Sequence, residues 1–252
     1  MSLPFKHGVI IGSERGKVMV PREKQEKAFE FVMKRVKRGD YGKYEKRGGV
    51  PGSKKPMDDF GGKISEEGTK MFIETTGKGW TSDVDYNVYS IGKKGWGEDL
   101  RECSYEGFST RIHVKSVSPL LNIDRYPLSW TFQDSDPGTK GKSGHDPVLD
   151  KGKSSGHLVS LCRIDVPCYF SLSEDSLMDE MEVDIYAIIF ADLLQIEGLL
   201  GDPVKEDLRG IKKVLYLDIV PNDWDSGNPL AEMSLKRCFE LFGDDCHKEW
   251  PR

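Results

Sequence analysis

The chain has 252 residues, 37% hydrophobic and 31% charged, with a formal net charge of −5. That length supports a core without disulfide or metal staples, and the low apolar fraction implies a core accompanied by much solvated chain. Five cysteines with no Cys-x-x-Cys pair argue against a disulfide framework or a zinc module, and for reduced thiols in an intracellular protein.

The charge is unevenly spread. Residues 1–63 carry 16 Lys/Arg against 8 Asp/Glu, a net of +8, and the remaining residues carry −13. The apolar run at 9–11 is too short for a secretory signal. The longest later run, 185–194, is about half of what spans a bilayer, so membrane contact is expected to be peripheral.

Residues 21–38 read as a helix, with Phe29, Val32, Met33 and Val36 on one apolar stripe. Lys24, Lys27, Lys34, Arg35, Lys37 and Arg38 crowd around that stripe, and Gly39 supplies a stop. This is either a surface helix with a solvated basic face or a basic amphipathic helix that lies on RNA or anionic lipid. Residues 39–68 are rich in Gly, Lys, Asp and Pro and read as a flexible linker. The expected organisation is therefore a basic arm over 1–65 and a folded body over 66–252.

The body reads as α+β with an antiparallel, β-rich core. Candidate strands lie at 70–76, 83–91, 107–117, 128–133, 157–172, 181–190 and 213–220. Phe108, Thr110, Ile112 and Val114 alternate with Ser109, Arg111, His113 and Lys115, which implies one buried and one wet face. Residues 134–156 form a long Asp/Gly/Lys/Ser loop, a length more often functional than incidental. Residues 171–202 hold nine acids and no Lys or Arg. A short helix is expected at 203–212, and a longer one at 228–243 with Asn228 as N-cap, Pro229 at the first position and Gly243 at the end.

Catalytic signals are weak. Gly141-Lys142-Ser143 and Gly152-Lys153-Ser154 match the end of a phosphate-binding loop, but Asp136 and Pro147 stand where its first glycine belongs. His113, His145 and His157 have no nucleophile or orienting group at motif spacing. No cofactor and no metal are expected. The polyanion signal is stronger. Lys24, Lys27, Lys34, Arg35, Lys37, Arg38, Lys43, Lys46, Arg47, Lys54 and Lys55 are the candidate ligands for phosphate, with Tyr41, Tyr44 and Phe60 interleaved. Lys34, Arg35, Lys37 and Arg38 also resemble a nuclear-import signal read by a carrier.

A basic N-terminal arm on a β-rich body of this size resembles the matrix proteins of rhabdoviruses, and the 34–38 cluster suits the plant, nucleus-associated members. That resemblance implies a non-enzymatic virion protein that self-associates, binds the RNA nucleocapsid and anionic membrane, and resides in host nucleus or cytoplasm. Two alternatives stay open. One is a plant-virus movement protein binding single-stranded nucleic acid. The other is a nucleotide-binding enzyme using the 138–157 Gly/Lys/Ser loop.

Overall fold

The computed structural model describes residues 16–41, 55–75, 79–89, 99–105, 108–117, 129–134, 146–164, 172–195, 200–202 and 212–216. Strand β1 (Gly16–Pro21) runs directly into helix α1 (Arg22–Lys37), with Pro21 holding the extended backbone of the N-cap. The helix stops where expected. Gly39, at φ +69°, donates to the Val36 carbonyl, and Asp40 donates to that of Arg35. This is the paired closure of a Schellman motif. The apolar stripe is rotated from the expected one. Gln25, Ala28, Phe31 and Val32 are buried, Phe29 and Met33 are half-buried, and Val36 is 41% exposed.

Helix α2 (Lys55–Thr75) replaces both the expected linker end and the expected strand at 70–76. Its glycines suggested turns, yet Met57, Phe60 and Ile64 recur at helical spacing and are all buried. Packing of that face outweighs the propensity cost of glycine, about 1 kcal/mol per residue. Gly68 is needed for close approach, since a Cβ there would lie 2.8 Å from Val183.

The sheet contains β2 (Gly79–Thr81), β3 (Leu100–Tyr105), β4 (Phe108–Val117), β6 (Leu158–Ile164) and β7 (Glu180–Phe190) together with β1. Its order is β1-β7-β6-β4-β3-β2. The expected antiparallel core is instead mixed, because β4 and β6 run parallel while every other pair is antiparallel. A second, two-stranded sheet pairs β5 (Ser129–Gln133) with β8 (Lys212–Tyr216). The expected strands at 107–117, 128–133, 157–172, 181–190 and 213–220 meet β4 to β8. Residues 83–89 form no strand, and β1, β2 and β3 were not expected.

The two faces of the main sheet are covered differently. The helices lie on one, where Thr69 of α2 bonds Ser160 of β6 at 2.9 Å. On the other stands Trp130 of β5, which donates to the Cys162 carbonyl at 2.9 Å and packs edge-on against Tyr186 of β7. With both faces covered, β6 is buried along nearly its whole length rather than half wet, as parallel neighbours require. One hydrophobic core includes Val20, Phe31, Phe60 and Ile64 together with residues of β4, β6 and β7. The described parts of 1–65 thus contribute side chains to the same core as the β-strands. The fold is mixed α+β with a β-rich core; the expected helix at 228–243 lies outside the described residues.

Candidate functional site

The basic residues of α1 separate into two groups. Lys24 is turned inward, 3.3 Å from Glu67 of α2. Arg35 pairs with Asp59 of α2 and with Asp40, and its guanidinium lies over the rings of Phe31 and Tyr41 at 5.8 and 5.1 Å. Arg38 grips Asp40 through two bonds of 3.0 and 3.1 Å and reaches the carbonyls of Val88 and Tyr89. These side chains fasten α1 to α2 and to the 85–89 segment. Lys27, Lys34 and Lys37 remain exposed. Lys34 lies 3.6 Å from Glu30, a weak exposed pair. Spacings of seven and three place these three lysines on one stripe of the helix.

Four of the eleven candidates, Lys43, Lys46, Arg47 and Lys54, lie outside the described residues, as does the side chain of Lys55. The import-like run 34–38 is helical through Lys37. Because Arg35 is only 19% exposed, a carrier groove reads all four of its cations only if α1 unwinds. Of the predicted apolar stripe, Val32 is fully buried, Phe29 and Met33 are half-buried and Val36 is exposed. Of the interleaved aromatics, Phe60 is core, and Tyr41 donates to Asp59 at 3.0 Å with its phenol pushed up by burial and then by that carboxylate.

A second cluster lies on the opposite face, and motif spacing did not find it. His113 of β4 and His157, just before β6, bring Nε2 and Nδ1 to 3.2 Å with the rings stacked at 5.4 Å. Strand pairing explains the meeting: Ile112 and Leu158 are register partners, so positions 44 apart in sequence become neighbours. Lys115 reaches Asp146 at 2.5 Å and lies over Phe132. Asp99 accepts from the Val114 backbone at 2.7 Å. His113 is 4% exposed. Burial lowers its proton affinity, Asp99 and Asp146 oppose that, and His157 and Lys115 add to it.

The Gly/Lys/Ser echo does not build a phosphate cradle where it is described. Gly152, Lys153 and Ser154 lie in the one-turn helix α3 (Lys151–Ser154). There Lys153 pairs with Asp150 and the buried Ser154 hydroxyl donates to the Asp150 carbonyl. Cys103 and Cys162 are buried free thiols, pushed up to about 12 and about 11 by burial, which makes them inert as nucleophiles. Among the described residues no cluster of three or more His, Cys, Asp or Glu is placed to hold a metal, and no helix is long and apolar enough to cross a membrane. No family model matches the chain, and no curated protein or solved structure matches it either.

Proposed function

We propose that the chain is a non-enzymatic structural protein of matrix type that binds an RNA nucleocapsid through the outer face of α1. The observation that carries this reading is the exposed stripe of Lys27, Lys34 and Lys37, left over after the neighbouring cations are consumed in internal ion pairs. The stripe continues in sequence into Lys43, Lys46 and Arg47. Contact with anionic membrane is electrostatic and uses the same lysines, because the apolar side of α1 is occupied by the core. Trp80 on β2 and Met19 on β1, both exposed on the outer strands of the main sheet, favour self-association as a further property.

The test is a salt titration of binding to fluorescent single-stranded RNA and to anionic vesicles. The triple variant Lys27→Gln/Lys34→Gln/Lys37→Gln is expected to bind more weakly and to flatten the log–log salt slope by about 2, at ~0.7 per lost phosphate contact. An unchanged slope removes α1 as the interface.

A further inference from the structure

The segment 146–157 is tied down at several points, to β4 of the main sheet, to β5 of the second sheet and to Asp192 after β7. Asp146 accepts from Lys115, and its backbone N–H donates to the Gln133 carbonyl at 2.8 Å. At the far end, Thr110 donates to the Gly156 carbonyl at 2.6 Å and the Gly156 N–H donates to Asp192 at 2.8 Å. Between these ties lies the contact of His113 with His157. It is the one tie among them made by two imidazole rings.

We propose that the His113–His157 pair is an acid-opened clasp, which holds the 146–157 segment on the sheet until both rings carry a proton and then releases it. The proton count gives the logic. Two neutral rings share one N–H in the gap between their facing nitrogens, one ring donating and the other accepting. A first added proton sits on an outward nitrogen and turns that bond into a charge-assisted one, which is stronger. A second proton leaves two N–H groups facing each other at 3.2 Å, with neither able to accept. The bond is lost and two like charges remain.

Placement of the rings sets the order. His157 is half-buried, so the last proton enters at His113, the buried ring. Asp99, from the chain leading into β3, and Asp146, from the turn before α3, favour that proton. Burial, Lys115 on the same strand and His157 itself oppose it. Arg111 precedes Ile112 on β4, Asp150 is paired with Lys153 on the segment itself, and Asp192 is bonded to Gly156. The pair titrates as a unit, and the clasp opens in its second step.

Hydrogen exchange on the full chain between about pH 7.5 and about pH 5, corrected for intrinsic rate, reads this directly. Protection of 146–157 is expected to fall at least tenfold on acidification while β6 and β7 keep theirs. In His113→Gln the difference between the two pH values is expected to vanish. If that buried substitution prevents folding, His157→Gln at the half-exposed ring gives the same readout. Two results overturn the clasp: wild-type protection of 146–157 that does not change between the two pH values, or a pH-dependent loss that survives in both variants.

Discussion

The two faces of the main sheet handle charge in opposite ways. On the helical face, permanent charges are buried in pairs. Lys63 holds Glu66 at 2.6 and 2.8 Å, Lys24 meets Glu67, and Tyr86 donates to Glu67 at 2.9 Å. Burial and then the Glu67 carboxylate push the Tyr86 phenol far above its ordinary range. On the other face the buried ionisable ring, His113, is held toward its neutral form. The first arrangement gives the Lys63 and Lys24 ammonium groups carboxylate partners at 2.6 and 3.3 Å. The second gives up its proton more readily than an ordinary imidazole, chiefly because it is buried. What keeps a charge stable inside this protein is a partner of opposite sign within hydrogen-bonding distance; where burial dominates, as at His113, the neutral form is favoured instead.

The largest effect comes from breaking the permanent side of that contrast. Glu66→Ala leaves the Lys63 ammonium buried and is expected to cost about 3–5 kcal/mol, whereas Lys63→Met/Glu66→Leu is expected near neutral or stabilising. Urea unfolding midpoints of both variants check this, and a cost below ~1 kcal/mol for the single change would show that the pair is not desolvated. Next comes the packing that makes the helical face dry. Gly68→Ala presses a methyl group into Val183 and is expected to lose about 1–3 kcal/mol by overpacking; a rise in melting temperature would contradict that close approach.

The third effect sharpens the titrating side. The unfolded chain binds a proton at His113 near pH 6.5 and the folded chain does so only at lower pH, so the unfolded state carries more protons in between. Stability is therefore fully present above about pH 6.5, declines as pH falls from there toward the folded value, and is flat for this group below it. Unfolding free energies of wild type and His113→Gln across that window should differ in slope. Parallel slopes would assign the dependence elsewhere. The smallest effect belongs to the exposed lysines. Lys27→Gln/Lys34→Gln/Lys37→Gln is expected to shift stability by no more than about 0.5 kcal/mol while weakening RNA binding. A large stability loss would mean that these side chains are structural after all.

Much of the β scaffold was legible because period-two alternation survives in the first half of β7 and over 109–112 of β4, although it fails at His113, which is buried on the face expected to be wet. Helix α1 and its Gly39 stop were legible for the same kind of reason, a local period and a local cap. Helix α2 was not. Gly61, Gly62 and Gly68 masked a series, Met57, Phe60, Ile64 and Gly68, that runs at helical spacing once glycine is read as a packing position. Strand β1 was missed because Gly16–Pro21 is short and its pairing partner, β7, lies more than 150 residues away. The histidine pair was invisible to motif spacing because register across a parallel pair of strands brings it together.

The sequence by itself determined the charge polarity, the basic helix and the alternating strands, since each depends on residues within a few positions of one another. Tertiary structure alone decided which cations remain available. Lys27, Lys34 and Lys37 face water, while Lys24, Arg35 and Arg38 are taken up by Glu67, Asp59 and Asp40. Of these, Asp59 and Glu67 lie 24 and 43 residues from the cations they neutralise. The physical reason is that a charge is spent or kept according to what is packed against it, and packing across α1 and α2 is set by the sheet beneath them rather than by either helix alone.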